Sequence, residues 1–587
     1  MNTGPARGVA GAVEGAAPDP AGRDRHGEAA AGALVTRAPA TPLGSPDSRQ
    51  DGKQSMREDW VPWPASFAAA YRSQGYWNDD LLGRWPVSVP GLDGRTAVAT
   101  STRQLTYGQL DRAADRLAAG LRDRGLTSGD RVVVHLPNDI EMVVLCVALF
   151  RLGVLPVFAL PAHRTSEITH LVDTADAVAY FCADRVLDCD YRTIAKEVQD
   201  RTDCLREVFV TGEAGPFTAL GEVDADPVAL PAPEPGDVAL FLLSGGTSGP
   251  PKLIPRTHAD YTYQLRASAR LCGFGPDTRY LCALPLGHNF ALACPGVLGT
   301  LQAGGTAVLA PAPTPEVCFP LVESAGVTST SLVPPLVPLW LDAAEWTEHH
   351  LDSLELLQVG GARLDPATAR RVPEGLGCTV QQVYGMAEGL LNYTRLDDPE
   401  DVVFHTQGRP LSPADEIRVV REDGREAAAG EEGELLTRGP YTLRGYFRAE
   451  ERNRVRFTED GYYRTGDVVK RTAGGNFEVV GRANDVINRG GEKVPAQEVE
   501  EHLLADPRIR HAAVVGLPHP HLGEQSCACV VARDEDEPPT LREVRAALRE
   551  RGIAAYKLPD RLVVLPALPM TGVGKIDKKV LRARLTG

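Results

Sequence analysis

The sequence lacks several features that define specialised classes of protein. Its 587 residues contain no run of about 18 apolar residues, which excludes a membrane-spanning helix. The start of the chain has no apolar stretch of the kind that a secretory signal needs, and the 11 cysteines form no CxxC pair. We therefore expect a protein of a reducing compartment, the cytoplasm, with neither a disulfide framework nor a zinc site.

Basic residues are outnumbered as well. Lys and Arg total 62 against 78 Asp and Glu, so the formal net charge is −16. This balance argues against a general nucleic-acid binder, because neutralising phosphates needs a basic surface. The 43% hydrophobic and 24% charged content is that of an ordinary globular protein, and the length exceeds one core, so we expect two or three domains.

Aromatic residues are missing from residues 1–50, where 26 residues are Ala, Gly or Pro. Such a segment buries too little apolar surface to offset the entropy of ordering it. We predict a disordered tail at residues 1–55, which is either a genuine tail or an over-extended gene start with Met56 as the initiator. Aromatic residues then crowd together, at Trp60, Trp63, Phe67, Tyr71, Tyr76 and Trp77.

Apolar runs and helical patterns alternate from about residue 100. This spacing indicates parallel βαβ units and an α/β fold. Residues 485–587 form a smaller α+β unit in this interpretation, and the strand at 238–243 precedes a glycine-rich turn and a helix from about Asp260. The other predicted strands are 131–136, 156–160 and 177–181, and the predicted helices between them are 140–150 and 166–176.

The glycine-rich turn reads Ser-Gly-Gly-Thr-Ser-Gly-Pro-Pro-Lys over residues 244–252. Glycines allow backbone N–H groups to approach an anion, while hydroxyls and a lysine add donors and charge. A Walker A loop is excluded because Lys252 lies between Pro251 and Leu253. The alternative is a simple Gly/Ser connector between a strand and a helix.

This loop resembles the phosphate-binding signature of the adenylate-forming superfamily, which contains acyl- and aryl-CoA ligases, peptide-synthetase adenylation domains and luciferases. Five further segments resemble motifs of that family and follow in the family's order. They are residues 360–362 (adenine), 384–388 (adenine and magnesium), 463–467 (ribose), 481–485 (interdomain hinge) and 569–576 (C-terminal lysine). The resemblance covers the chain from about Trp60 to Leu585.

The resemblance implies an α/β fold in two parts. A large, multi-subdomain N-terminal core at residues 56–483 would bind ATP and an aryl acid, and a small, mobile α+β domain at residues 484–587 would carry a catalytic lysine. Asn484 would be the hinge, although many relatives have Lys or Asp there. Asparagine also adopts unusual backbone angles, so we still expect a hinge at this position. Whether the domain rotates with the same energetics as in those relatives is a separate question.

The same resemblance implies a Mg-ATP site. Glu388, expected after a strand and a tight turn at Tyr384-Gly385, would bind Mg²⁺, Asp467 would accept the ribose hydroxyls and Tyr384 would stack on adenine. Taken alone, these residues could also be a charge at a helix N-terminus, a turn aspartate and a core aromatic. The implied ATP-binding residues are Ser244, Gly245, Gly246, Thr247, Ser248, Gly249, Lys252, Gly361, Ala362, Val383, Tyr384, Gly385, Asp467, Val479, Arg482 and Lys575.

Lys575 and His288 are the implied catalytic residues. In the family, the lysine of the last motif reaches into the first domain and contacts the substrate carboxylate and the α-phosphate. A carboxylate that attacks an anionic phosphate is repelled by it, and a cation lowers this barrier by stabilising the charge of the transition state. A solvated loop lysine is the alternative for Lys575.

The segment 286–296 indicates which class of carboxylic acid is the substrate. Amino-acid-activating relatives keep an aspartate where this chain has Asn289, and a neutral amide would pair poorly with a substrate ammonium. His288 and Asn289, together with residues 385–399, closely resemble the corresponding segments of the stand-alone aryl acid–AMP ligases of siderophore pathways. The implied substrate-binding residues are Asn289, Phe290, Cys294, Gly360, Val383, Gly385, Met386 and Leu391.

Two of these positions favour salicylate over 2,3-dihydroxybenzoate. The dihydroxybenzoate members typically have Ser at the position of Cys294 and Val at that of Leu391. A thiol is a weaker partner for a 3-hydroxyl, and leucine narrows the pocket. Substituted salicylates, anthranilate, benzoate and 2,3-dihydroxybenzoate stay open, because one methylene or hydroxyl discriminates by only about 10- to 200-fold.

The implied acceptor is an aryl carrier protein that acts in trans through its phosphopantetheine thiol. Arg489 and Lys493 could supply positive charge for docking an acidic carrier, or form a solvated surface pair. An aryl-CoA ligase that uses free CoA, or a catalytically silent adenylate-binding protein, are the competing interpretations. Retention of Lys575, Glu388 and Asp467 argues against the silent protein.

Overall fold

The computed structural model describes residues 59–84, 91–186, 188–244, 251–421, 423–482, 486–534, 536–569, 576 and 578–586. The predicted tail at residues 1–55, the Met56 alternative and the hinge residue Asn484 lie outside the described residues. The alternating pattern is confirmed as an α/β fold with a large N-terminal domain and a small C-terminal domain.

Two large sheets form the N-terminal domain, and both are parallel in their centres with antiparallel strands at an edge. The seven-stranded sheet has the spatial order Leu253–Thr257, Val238–Leu243, Leu155–Phe158, Arg131–His135, Ala179–Ala183, Glu207–Thr211 and Thr218–Ala219. The nine-stranded sheet has the order Arg409–Pro410, Leu390–Tyr393, Thr379–Met386, Leu356–Gly360, Ser329–Leu332, Arg279–Cys282, Thr306–Leu309, Thr96–Ala99 and Gln104–Thr106.

Smaller sheets complete the architecture. An antiparallel sheet contains Glu416–Val420, Glu432–Arg438, Tyr463–Arg471 and Phe477–Arg482. The C-terminal sheet contains Glu492–Pro495, Val486–Arg489, Gly523–Ala532, Ile509–His519 and, parallel to Gly523–Ala532, Arg561–Val564. A two-stranded ribbon pairs Arg185–Val186 with Cys189–Asp190.

Helices cover the sheets and give the parallel strands the buried faces that their apolar sequences need. The α-helices are Ala65–Ser73, Tyr107–Asp123, Ile140–Leu152, Thr165–Ala175, Tyr191–Arg201, His258–Leu271, Asn289–Ala293, Gly296–Gln302, Pro315–Ala325, Leu336–Ala344, Pro366–Leu376, Glu400–His405, Glu450–Arg456, Ala496–Leu504, Leu541–Glu550 and Lys578–Thr586. Short 3₁₀ turns lie at Leu92–Gly94, Leu220–Glu222 and Ala555–Lys557.

The glycine-rich segment differs from the predicted strand-turn-helix. A further strand, Leu253–Thr257, follows it and pairs antiparallel with Val238–Leu243. The sequence hides this strand because it contains Pro255 and Arg256, and proline is tolerated only where its missing N–H is not needed. The strand lies at the edge of the sheet, which satisfies that condition.

The aromatic cluster after residue 59 packs onto the domain. Trp63 lies edge-on to Trp77 with 5.3 Å between ring centroids, and Tyr71 lies 5.2 Å from Trp77. Trp77 Nε1 donates to the carbonyl of Pro440, 363 residues along the chain. Among the described residues, no helix combines the length and the apolar content that a bilayer crossing requires.

Two tryptophans around the helix Leu336–Ala344 allow a matched test of the packing. Trp340 is fully buried, packs edge-on against Phe319 and donates from Nε1 to Pro313 O at 2.9 Å, whereas Trp346 is 84% exposed. Trp340→Ala should lower the free energy of unfolding of the large domain by about 3–5 kcal/mol, because it opens a cavity. Urea unfolding measures this loss, and Trp346→Ala is the control that should change little; equal effects would contradict the packing.

Candidate active site

The carboxyl ends of neighbouring parallel strands meet at one edge of the nine-stranded sheet. Gly360 ends the strand Leu356–Gly360, and its register partner on the next strand is Val383. Gly361 follows with φ +88°, a backbone conformation that favours glycine. Ligands of α/β proteins bind at such strand ends, and the residues predicted for the acid and the nucleotide come together here.

The short helix Asn289–Ala293 carries the acid-binding residues. His288 caps its N-terminus, since the backbone N–H of Phe290 donates to His288 Nδ1 at 3.3 Å. Asn289 is 6% exposed, and its Oδ1 accepts a hydrogen bond from the Tyr261 hydroxyl at 2.8 Å. Because Oδ1 has a donor, the amide orientation is fixed, and Nδ2, which lies 3.6 Å from Cys294 Sγ, keeps a second N–H that can donate.

The Cys294 thiol is engaged by the protein itself. Sγ donates to Asn289 O at 3.4 Å and lies 3.6 Å from Asn289 Nδ2 and 3.8 Å from Gln264 Nε2. Burial raises the pKa of the Cys294 thiol to about 12, so it is not a thiolate nucleophile.

Two glycines allow neighbouring side chains to pack directly against the backbone. A Cβ on Gly385 would collide with Leu391 Cδ2, and one on Gly360 would lie 3.0 Å from the Phe290 ring. Leu391 is 2% exposed, and it faces Gly385 across the antiparallel strand pair. The predicted residues Phe290, Val383 and Leu391 belong to one hydrophobic cluster, and Met386 is half-buried against it.

A buried polar network supports this pocket, and sequence reasoning missed it. Arg256 is fully buried and donates to Asp260 Oδ1 at 2.7 Å, to Gln264 Oε1 at 2.9 Å and to Ala387 O at 3.2 Å. Its guanidinium carbon also lies 4.7 Å from the centroid of the Tyr261 ring. Asp260 and Gln264 lie four residues apart on one side of the helix His258–Leu271, but Arg256 lies on the preceding strand, so no local pattern of the sequence joins the three.

The predicted nucleotide residues Tyr384 and Asp467 are joined directly. The Tyr384 hydroxyl donates to Asp467 Oδ2 at 2.7 Å, and Asp467 is 3% exposed. Asp467 pairs in register with Arg482, of which only the backbone is described. The backbone N–H of Val479 donates to Gln407 Oε1 at 2.8 Å, and Ala362 is exposed beside Gly361.

Glu388 differs in its local structure from the prediction. The strand Thr379–Met386 runs through Tyr384 and Gly385, and the turn comes afterwards, where Gly389 N–H donates to Met386 O at 3.0 Å. The strand continues because Gly385 pairs with Leu391, while Gly389, at φ +96°, makes the turn. Glu388 is 7% exposed, and its Oε1 accepts from the Tyr446 hydroxyl at 2.8 Å.

This carboxylate fits a hard cation. Among the described residues, Oε1 has a hydrogen-bond donor and Oε2 has none, which leaves an anionic oxygen as a possible ligand. The Tyr446 hydroxyl also lies 2.8 Å from the Tyr463 hydroxyl, so two linked phenols hold Glu388 in its orientation.

Contacts between Ser244 and Lys252 join the two ends of the predicted phosphate-binding loop, residues 244–252. Ser244 N–H donates to Lys252 O at 2.9 Å, and Lys252 N–H donates to Ser244 Oγ at 3.0 Å. Residues 245–250, which include the predicted Gly245, Gly246, Thr247, Ser248 and Gly249, lie outside the described part of the chain. Burial, followed by the charges of Arg452 and Arg456, lowers the pKa of Lys252 to about 8.

Arg452 and Arg456 were missed because they belong to no motif. Both lie on the helix Glu450–Arg456, and Arg456 is 5% exposed and donates to Arg464 O at 3.3 Å. Lys252 and Arg452 both interact with the charge of Glu388 and with that of Arg456, so this part of the site holds three cations.

The small domain reaches this site through its hairpin at 486–495. Lys493 Nζ donates to Gly361 O at 3.3 Å and to Asn488 Oδ1 at 2.5 Å, and a Cβ on Gly491 would lie 3.0 Å from Val333 Cβ. Arg489 forms a bidentate ion pair with Asp560, both distances being 2.7 Å. Both cations predicted for carrier docking therefore make contacts within the protein, while Lys575 and Asn484 lie outside the described residues.

His288 lies within the electrostatic influence of that hairpin. Burial, followed by the charge of Lys493, lowers the pKa of His288 to about 4. At neutral pH the imidazole is therefore an uncharged polar group and not a cation.

This pKa is directly testable by NMR with ¹³C-labelled histidine, using His288→Gln for assignment. Lys493→Met should raise the pKa of His288 but leave it below the ordinary 6.5, because burial remains. The unfolded chain binds this proton near pH 6.5 and the folded protein only near pH 4, so lowering the pH through this window destabilises the fold. Lys196→Met, at an exposed residue, is the control; a wild-type pKa near 6.5 would contradict the buried, neutral imidazole.

Comparison with known proteins agrees with this geometry. The sequence pattern described as AMP-binding enzyme matches residues 88–447, and that of the AMP-binding enzyme C-terminal domain matches residues 498–575. The 2,3-dihydroxybenzoate-AMP ligase of Bacillus subtilis is 51% identical over 90% of this chain and 98% of its own. The salicyl-AMP ligase / salicyl-S-ArCP synthetase of Mycobacterium tuberculosis is 48% identical over 92% of this chain and 97% of its own.

The chain is also similar to solved structures. The apo structure of Mycobacterium smegmatis MbtA is 48% identical, has a TM-score of 0.70, and is matched over 90% of this chain and 99% of that one. The two family patterns and the solved structure therefore agree on the family and on the fold. The chain belongs to the AMP-binding enzyme family, among relatives that include aryl acid–AMP ligases.

Proposed function

We propose that the protein activates an aryl carboxylic acid, salicylate, with ATP and passes the acyl group to the phosphopantetheine thiol of an aryl carrier protein in siderophore biosynthesis. The observation that carries the proposal is the state of Asn289. It is a neutral amide whose Oδ1 is taken by Tyr261, so it offers a donor to an ortho hydroxyl oxygen and no charge to an ammonium.

The Cys294 contacts support the choice of salicylate. Its thiol donates to Asn289 O, and two amide nitrogens lie near its sulfur, so it has little left to offer a 3-hydroxyl. Leu391, packed against Gly385, fills the space at the neighbouring wall. An acid without a 3-hydroxyl therefore loses nothing in this pocket, whereas 2,3-dihydroxybenzoate would bury an unpaired hydroxyl.

In the first half-reaction a carboxylate oxygen of the acid bonds to the α-phosphorus of ATP, and the bond to the bridging oxygen breaks as pyrophosphate leaves. Asp467 and Tyr384 would hold the nucleoside, and Lys252, Arg452 and Arg456 would stabilise the charge of the leaving pyrophosphate. Glu388 would hold Mg²⁺, which when bound neutralises phosphate charge. Lys575 would stabilise the charge that develops between the carboxylate and the α-phosphate.

In the second half-reaction the thiol sulfur bonds to the acyl carbon, the acyl–oxygen bond to AMP breaks, and the thiol proton passes to solvent. Lys493 lies at the Gly361 end of the site, where the small domain meets the strand ends. The products are a thioester and AMP.

Aryl-acid-dependent exchange of pyrophosphate into ATP tests the first step. Salicylate should give the highest kcat/KM among salicylate, 2,3-dihydroxybenzoate, benzoate and anthranilate. Cys294→Ser with Leu391→Val should shift the preference toward 2,3-dihydroxybenzoate by roughly 10-fold or more, since each change restores a partner or space for the 3-hydroxyl. Cys378→Ser, at a buried thiol of a different cluster, is the matched control. An unchanged preference in the double variant would refute the assignment of these two residues.

Lys575 supplies a separate prediction. Lys575→Ala should slow adenylation by about 100-fold or more, with ATP affinity largely intact, because its charge acts in the transition state. Exchange kinetics and ATP binding by calorimetry check this, and Lys578→Ala, at a lysine paired with Glu500, is the control. An unchanged adenylation rate would remove Lys575 from the mechanism.

The acceptor is tested by giving the enzyme the carrier protein or free CoA. The carrier should be loaded at the higher kcat/KM. Faster thioester formation on free CoA would make the protein an aryl-CoA ligase.

A further inference from the structure

The sheet of the small domain has two faces, and successive residues of its central strands point to opposite ones. Ala512 and Val514 pack into one hydrophobic cluster, together with the helices Ala496–Leu504 and Leu541–Glu550. Their neighbours Ala513 and Val515 pack into another cluster, on the other side of the sheet, together with the helix Lys578–Thr586. Ile576, the described residue next to Lys575, belongs to this second cluster.

The contacts with the large domain come from two segments of the small domain. The hairpin that carries Gly491 and Lys493 places Ile487 and Val494 in the first cluster, and the segment after the helix Leu541–Glu550 adds Ile553 and Leu558. That segment contacts the large domain at Glu167, on the helix Thr165–Ala175. Among the described residues, the small domain therefore meets the large domain through the hairpin at 486–495, at Gly361 and Val333, and through residues 554–557, at Glu167.

A buried ion cluster fixes this orientation. Lys557 Nζ lies 3.0 Å from Glu167 Oε1 of the large domain and 2.6 Å from Glu498 Oε1 of the small domain. The side chains of Lys557 and Glu167 are each 1% exposed, and that of Glu498 is 7% exposed. Glu167 is held on both oxygens, because Oε1 also accepts from Ala554 N–H at 3.1 Å and Oε2 from Arg164 N–H at 3.0 Å.

The ion pairs of such a cluster stabilise one domain orientation, and they can also break at a small net cost. Within the protein, each charge depends on its partner, because an unpaired buried charge is costly. When the domains separate, water hydrates both ions, so the net cost of opening is small compared with the interaction itself. A contact with these properties suits a domain that adopts a defined orientation and later leaves it.

We propose that Glu167, through Lys557, is a positioning residue that holds the small domain in the orientation for acyl transfer, and that this ion pair opens when Lys575 is brought to the acid for adenylation. The inference rests on the proposed function, and it adds a residue of the large domain that belongs to no motif. The Lys493 hairpin faces the site while the pair is closed, and the segment that carries Lys575 takes its place when the pair is open.

An engineered disulfide tests the orientation directly. A Cβ on Gly552 lies 3.7 Å from Ser166 Cβ, a spacing that a disulfide bridges, so Ser166→Cys with Gly552→Cys should lock the closed pair. The oxidised protein should lose pyrophosphate exchange by at least about 10-fold but still transfer the acyl group from supplied aryl-AMP, and a reductant should restore exchange. Gly552 has φ +77°, so the reduced variant is the reference for any strain at the new cysteine.

Wild-type protein oxidised in parallel controls for its native thiols. Full exchange activity in the cross-linked protein would overturn the proposal. Failure of the proposed function would appear differently, as an absence of aryl-acid-dependent exchange in the reduced variant and the wild type alike.

Glu167→Gln tests the residue itself. The variant keeps an oxygen for Ala554 N–H but loses the charge that pairs with Lys557, so acyl transfer from supplied aryl-AMP should slow by about 10-fold, the effect of 1.4 kcal/mol, with pyrophosphate exchange unchanged or faster. Asp173→Asn, an exposed change of the same charge on the same helix, is the control and should alter neither step. A loss of structure would lower both half-reactions together; that result, a loss of exchange alone, or no change in transfer would each overturn the proposal.

Discussion

The structure depends on one constraint: an acid and a nucleotide, both anionic, must meet at the ends of neighbouring parallel strands. Gly360 ends one of these strands, and a side chain there would press on the Phe290 ring, while Gly361 follows in a backbone conformation that favours glycine. Electrostatic repulsion between the two substrates is then unavoidable. In the proposed function, cations would offset that repulsion: Lys252, Arg452 and Arg456 in the large domain and Lys493, next to Gly361, in the small one.

The polar atoms of the acid pocket owe their direction to contacts within the protein. Tyr261 orients Asn289, and Arg256 links the helix of Tyr261 to the carbonyl of Ala387, next to Glu388. The acid pocket and the proposed metal ligand are thereby parts of one hydrogen-bonded unit. Specificity in this account comes from which donors and acceptors the protein has already satisfied, as the Cys294 thiol illustrates.

The sequence predicted the local features well, because strands, helices and motifs depend on neighbouring residues. Tyr384, Glu388 and Asp467 could be found from their motifs, and the structure brings the first and last into direct contact. The edge strand Leu253–Thr257 escaped detection because Pro255 and Arg256 do not look like strand residues. Contacts such as Lys557 with Glu167, 390 residues apart, leave no local pattern at all, since only folding brings them together.

The most direct test of the account is a competition in one vessel. The enzyme receives ATP with equal concentrations of salicylate and 2,3-dihydroxybenzoate, and mass spectrometry measures the ratio of the two aryl-AMP products, which reports the ratio of kcat/KM values. An excess of salicyl-AMP of about 10-fold or more is the predicted result. An excess of 2,3-dihydroxybenzoyl-AMP would contradict the central claim that Cys294 and Leu391 shape the pocket for an acid without a 3-hydroxyl.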